Sequence, residues 1–235
     1  MCGRGARNRM ADFLPLLTAI ASFALTFLLA RQYSQRRKPY QLVWTISLAL
    51  LGLAAVVAFL GNPDFLGWNE ALYRLYLPLT SIPVGLIGLG VLQLFADRPK
   101  ISRIYGYYWI ATATLIAIVC ALGPIADAAL LVVQGPNVGG QYLPLFGAVS
   151  WLQTVPGAIV FIGGGLYTWA KDRRRVYGLI LGLGGILFSL AGFSGRFGMR
   201  QFFFLITALS AIVTFIGFIL SVEYRPATVP EPAKA

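Results

Sequence analysis

Seven long apolar stretches, separated by short polar or basic connectors, dominate this chain. Each stretch is close to the roughly 20 residues that a helix needs to cross about 30 Å of hydrocarbon. The chain is only 11% charged, whereas an ordinary soluble domain is about 25% charged. The pattern predicts an all-α fold, a polytopic bundle of seven transmembrane helices. The predicted spans are 12–30, 41–61, 71–96, 104–123, 143–169, 176–195 and 201–222.

The predicted spans fill the chain and leave no room for a separate soluble domain. We expect an N-terminal segment at 1–11, a single transmembrane domain at 12–222 and a cytoplasmic tail at 223–235. The tail is rich in proline and alanine, and we expect it to be disordered. Gly192 and Gly195 before the last connector and Gly198 within it leave an alternative open, in which 176–222 forms one kinked hairpin and the bundle has six spans.

Lysine and arginine are distributed unevenly between the two sides of the predicted bundle. The side with more of these residues faces the cytoplasm in most membrane proteins. This rule predicts an N-terminus outside and a C-terminus in the cytoplasm. Three arginines before Met10 oppose that orientation, and we hypothesise that Met10 is the true start. The richer side holds Arg31, Arg36, Arg37, Lys38, Arg98, Lys100, Arg103, Lys171, Arg173, Arg174, Arg175, Arg225 and Lys234.

Histidine is absent from all 235 residues. Its absence removes haem held by histidine, the usual histidine ligands of zinc and copper, and acid–base catalysis by imidazole. Every lysine lies in a predicted connector or in the tail, so none can form a retinal Schiff base within the last span. We therefore expect a protein that is not an enzyme and has no resident metal or cofactor. A bound lipid or pigment is compatible with such a bundle.

The net charge of +11 has its origin in residues that flank the predicted spans. Basic connectors beside anionic lipid are typical of polytopic membrane proteins. We therefore expect the lipid bilayer to be the main partner and expect no binding to nucleic acid. The basic cytoplasmic connectors could also bind a membrane protein or a cytoplasmic protein.

Small residues recur at helical spacing within the spans and form a seam along one helix face. Helices in lipid associate through close backbone approach and interhelical hydrogen bonds. The seams therefore predict a tightly packed bundle with little interior volume. A homodimer contact is the alternative for the seam of the sixth span. The two longest seams are Gly178, Gly182, Gly185, Ser189 and Gly192 in the sixth span, and Thr207, Ser210, Thr214 and Gly217 in the seventh.

Aromatic side chains cluster at the predicted span ends. Trp68, Tyr73 and Tyr76 surround the start of the third span, and Tyr167 and Trp169 close the fifth. Amphipathic rings are enriched at the level of the lipid headgroups. We therefore expect these residues to form an interfacial belt.

Ionisable and amide side chains near or within the spans are the candidates for a ligand site. The charged candidates gather at the predicted outer ends, where they could form a polar vestibule for a small ligand. Local ion pairs are the alternative, as for Glu70 and Arg74 at i,i+4 spacing. The two deep amides could instead form structural hydrogen bonds between helices. The candidate ligand-binding residues are Glu70, Arg74, Asp127, Arg196, Arg200, Gln93 and Gln153.

A short sequence pattern in the N-terminal half has a counterpart in a known group of proteins. The pattern comprises Arg31, Tyr33, the segment Arg36–Trp44, Tyr73-Arg74 and Leu89-Gly90. It resembles a group of uncharacterised bacterial seven-helix membrane proteins. The resemblance implies residence in the bacterial cytoplasmic (inner) membrane and no particular activity. We predict a non-enzymatic membrane protein that binds a partner protein or an apolar, lipid-like ligand, the alternative being a small transporter or transporter subunit.

Overall fold

The computed structural model describes residues 9–95, 99–134, 141–197 and 199–223. Within these ranges the chain forms eight α-helices and no strand, and seven of the helices are long and apolar enough to cross a membrane. The predicted all-α fold with seven apolar helices of membrane-spanning length is therefore confirmed. Most of the predicted N-terminal segment and tail lies outside the described residues. The helices are α1 (Arg9–Arg36), α2 (Pro39–Leu60), α3 (Glu70–Phe95), α4 (Pro99–Leu122), α5 (Ala128–Gln134), α6 (Pro144–Lys171), α7 (Val176–Arg196) and α8 (Arg200–Glu223).

The last two spans are separate helices, because α7 ends at Arg196 and α8 begins at Arg200. The alternative of six spans is therefore wrong. The additional helix, α5, has seven residues and a length of about 10 Å, which is too short to cross a membrane. It lies in the connector between the fourth and fifth spans.

Helix α3 occupies the centre of the bundle, where it packs against α2, α4 and α6. Helix α8 packs against α7 and α1 and so joins the last spans to the first. Consecutive spans run in opposite directions, so the helix ends lie on two opposite sides of the bundle, which we call the N-terminal side and the basic side. The N-terminal side holds the starts of α1, α3, α6 and α8 and the ends of α2, α4 and α7. The basic side holds the short connectors at 37–38 and 172–175.

The aromatic residues at the start of α3 lie in the protein core. Trp68, Tyr73 and Tyr76 are 3%, 0% and 2% exposed, so the prediction that they form an interfacial belt is wrong. Trp68 packs edge-on against Tyr76, and Tyr73 packs edge-on against Tyr142, with ring centroids 5.4 and 5.8 Å apart. Leu131 and Tyr142, from the connector between α4 and α6, belong to the same buried cluster as these rings, a contact that sequence spacing does not reveal. Tyr167 is 65% exposed, as expected for an interfacial ring.

Helix α6 continues through Pro156 because a neighbouring helix replaces the missing hydrogen bond. Proline has no N–H, so the carbonyl of Leu152, four residues earlier, has no donor within its own helix. The hydroxyl of Tyr108 in α4 donates to this carbonyl. The contact compensates for the proline and joins α4 to α6.

We expect Tyr108→Phe to lower the free energy of unfolding by about 1 kcal/mol, because the carbonyl of Leu152 then has no donor in an apolar environment. The measurement is thermal or denaturant unfolding in detergent. Tyr107→Phe is the matched control, since Tyr107 is the adjacent residue and is 67% exposed. Equal stability of the two variants would contradict a structural role for the Tyr108 hydroxyl.

Candidate functional site

A groove of about 560 Å³ lies between α6 and α7. This volume is within the range of about 300–1,000 Å³ that is common for small-molecule sites. The prediction of a bundle with little interior volume is therefore wrong in this region. The base of the groove is formed by α2, α3 and α8. Its lining includes Leu51, Ser81, Val84, Ala158, Phe188 and Phe203.

The groove exists because α6 and α7 touch at one level and separate at another. On the basic side their backbones meet at glycines: a Cβ added to Gly165 would lie 2.6 Å from the Gly182 nitrogen and 2.7 Å from the Gly178 oxygen. A Cβ added to Gly192, nearer the N-terminal side, would meet no atom within 4 Å. Contact at the glycines therefore closes the groove on the basic side, and the helices diverge toward the N-terminal side.

One part of the small-residue seam of α7 packs against α6, and another part lines the groove. A Cβ added to Gly185 would lie 2.9 Å from Cγ1 of Ile162 in α6. Farther along the same face, Ser189 and Gly192 line the groove. Small residues at these two positions leave open volume where large side chains would fill the space between the helices.

The seam of α8 packs against a second face of α7. Ser210 donates a 2.7 Å hydrogen bond to the carbonyl of Gly184, and the side chain of Thr214 also lies against Gly184. A Cβ added to Gly217 would lie 2.9 Å from Cγ of Leu181. Thr207, the remaining seam residue, is buried. Gly184 was not part of the predicted seam, although the Gly184-Gly185 pair places small residues about 100° apart around the helix.

Arg196 lines the groove and places a positive charge at one end of it. This end lies on the N-terminal side of the bundle. Its Nη2 donates to the hydroxyl of Ser150 over 3.2 Å, and its guanidinium carbon lies 4.1 Å from the centre of the Trp151 ring. Both partners belong to α6 and also line the groove. Arg196 therefore bridges the two diverging helices at the end of an otherwise mostly apolar groove.

Three of the predicted ligand residues form structural contacts elsewhere on the N-terminal side. Arg74 pairs with Glu70 at 2.7 Å and also donates to the carbonyls of Cys120 and Ala121 at the end of α4. These bonds satisfy carbonyls that the end of a helix leaves without an internal partner. Asp127 accepts a 2.9 Å hydrogen bond from the backbone N–H of Leu130 and so caps α5. The predicted i,i+4 pair is present, and its arginine joins α3 to α4.

The two predicted amides lie at different levels of the bundle. Gln153 is 1% exposed and lies beside Gly85 of α3. Among the described residues, neither its amide nitrogen nor its amide oxygen has a hydrogen-bond partner, so the expected bond between helices is not formed. Gln93 lies near the end of α3 on the basic side, with its side-chain oxygen buried. The side chain of Arg200 lies outside the described residues.

The predicted ligand residues therefore do not form one site. Of those whose side chains are described, Arg196 alone lines the groove. Sequence analysis did not identify Trp151, because a single tryptophan within an apolar span carries no motif. Ser150 was expected only as a packing residue, since it is one of the small residues that recur at helical spacing in this span. Among the described residues there is no cluster of three or more Cys, Asp or Glu side chains that could hold a metal ion.

Comparisons with known proteins give no relative of this chain. No family model, curated protein or solved structure matches it. A functional assignment therefore depends on the geometry and chemistry of the groove.

Proposed function

We propose that this protein binds an apolar, lipid-like ligand in the groove between α6 and α7 and does not transform it chemically. The observation that carries the proposal is the groove itself, about 560 Å³ in volume with mostly apolar walls. An unfilled apolar cavity lacks dispersion contacts along its whole lining. An acyl chain or a similar apolar group would supply those contacts.

The rim of the groove faces the surroundings of the bundle. Ile159 of α6 and Phe193 of α7 line it and are 65% and 58% exposed. In a membrane these side chains would contact lipid, so a ligand could enter sideways from the bilayer. Entry of an acyl chain from hydrocarbon requires no removal of water, since both environments are apolar.

We also propose a location and an orientation. The seven apolar helices make a multi-pass membrane protein, and the sequence resemblance supports the bacterial cytoplasmic membrane. The excess of lysine and arginine on the basic side supports a cytoplasmic position for that side. The N-terminus and the Arg196 end of the groove would then face the outside.

The shape of the groove favours binding over transport. On α6 its lining runs from Phe146, on the N-terminal side, to Gly163, and on α7 it runs from Arg196 to Gly185. Beyond that level the backbone contact at Gly165 closes the space between α6 and α7. A groove that ends within the bundle holds a ligand but does not connect the two membrane surfaces.

We expect a photoreactive lipid to label the groove. The probe is phosphatidylcholine with a diazirine in its acyl chain, reconstituted with the protein in liposomes and mapped by peptide mass spectrometry. Labelling should concentrate on Thr154, Ala158 and Ser189, which line the groove. Gly192→Phe should abolish this labelling, because the added ring extends into the groove, and no atom lies within 4 Å of the new Cβ.

Leu190→Phe is the matched control, since it adds a ring to the same helix at a position that is 51% exposed and does not line the groove. It should leave the labelling unchanged. The proposal fails if groove peptides are labelled no more than the exposed face of α4, or if Gly192→Phe leaves the labelling intact. Flux of lipid across the liposome membrane that requires the groove would support a transporter in place of a binding protein.

A further inference from the structure

The two ends of the groove differ in charge. The end on the N-terminal side carries the guanidinium of Arg196, whereas the closed end is lined by Gly163, Ile162 and Gly185. A ligand that matches this arrangement has one anionic group and an apolar tail. The charge of Arg196 therefore indicates the chemistry of the ligand's headgroup, and the apolar walls indicate the chemistry of its tail.

The surroundings of Arg196 suit a phosphate group. The side chain is half-buried and lies above the Trp151 ring and against the Ser150 hydroxyl. The planar guanidinium group therefore has a defined position. A guanidinium attracts a phosphate through its positive charge and through charge-assisted hydrogen bonds.

The length of the groove suits an acyl chain of one leaflet. Thirteen helical steps separate Ser150 from Gly163, which corresponds to about 20 Å along α6. One leaflet contributes about 15 Å, half of the hydrocarbon thickness. With a headgroup beside Arg196, a single chain confined to one leaflet would fill about three quarters of this length.

We propose that the groove selects an anionic phospholipid from the surrounding leaflet, with its headgroup beside Arg196 and one acyl chain between α6 and α7. This inference rests on the proposed function, because it names the class of lipid that the groove holds. The second acyl chain stays in the bilayer, beside the exposed rim residues Ile159 and Phe193.

The test is competition between two lipids that differ only in headgroup. Delipidated protein in a mild detergent is mixed with equal amounts of phosphatidylglycerol and phosphatidylcholine of identical chains, and bound lipid is counted by native mass spectrometry. We expect one retained phosphatidylglycerol, preferred roughly tenfold, because the quaternary ammonium of phosphatidylcholine cancels the charge of its phosphate and would lie near the guanidinium. Arg196→Gln should remove the preference while retaining one bound lipid of either kind.

Arg173→Gln is the matched control. Arg173 also lies over a tryptophan of α6, 3.7 Å from the centre of the Trp169 ring, but at the opposite end of the helix and outside the groove. It should leave the preference unchanged. Retention of the preference in Arg196→Gln, or an equal loss in Arg173→Gln, would overturn the proposed selectivity.

The experiment distinguishes loss of headgroup selectivity from loss of lipid binding as a whole. If one lipid is retained without headgroup preference and Gly192→Phe displaces it, the groove binds lipid but Arg196 does not select it. If wild-type protein retains no lipid in a defined ratio, or if Gly192→Phe retains the same lipid, the groove is not a binding site and both proposals fail.

Discussion

Gly90→Ala is expected to lower the free energy of unfolding by about 3 kcal/mol, because its new methyl group would overlap the indole of Trp44. Trp44 is 3% exposed, and its indole N–H donates a 3.2 Å hydrogen bond to the carbonyl of Ile87. Its ring also packs edge-on against Phe218, with centroids 5.2 Å apart. The indole could move away from α3 only by losing this bond and disturbing the contact with α8.

Gly106→Ala in α4 is the control, because the nearest atom to its new Cβ would be Cδ1 of Leu89 at 3.9 Å. Alanine favours a helix over glycine by roughly 0.5–1 kcal/mol, so the control should be neutral or slightly stabilised. Reversible unfolding in detergent, followed by circular dichroism, measures both. Combining Gly90→Ala with Trp44→Phe should cost less than the sum of the single changes. Strict additivity, or a Gly90→Ala variant as stable as the control, would exclude the proposed overlap.

Gly165→Ala is expected to cost about 2 kcal/mol and to lower the melting temperature by about 4–8 °C. Its Cβ would lie 2.6 Å from the backbone nitrogen of Gly182 and 2.7 Å from the carbonyl oxygen of Gly178. Backbone atoms cannot rotate away as a side chain can, so α6 and α7 would have to separate. The helix preference of alanine offsets only part of this cost.

Gly163→Ala tests the same chemical change two residues earlier in α6. No atom lies within 4 Å of its Cβ position, so this variant should melt at or slightly above the wild-type temperature. A scanning measurement of aggregation or fluorescence on both proteins in the same detergent decides the comparison. Indistinguishable melting of the two variants would show that backbone contact at Gly165 does not hold α6 against α7.

The candidate site was predictable only in part. The sequence identified Arg196 because a charged residue at a span end is conspicuous among apolar neighbours. It also identified Ser189 and Gly192, but as packing residues, whereas they line the groove. Helical spacing shows which residues share a face, and it does not show whether a second helix lies against that face.

The amino-acid sequence by itself determined that this chain forms seven long apolar helices, because the length and hydropathy of each segment follow from the order of its residues. Only the tertiary structure decided which helices touch and where they part. Close contact at Gly165 and separation at Gly192 depend on how two helices are inclined to each other, and that inclination results from the packing of the whole bundle. The groove and its cationic end at Arg196 are therefore properties of the fold.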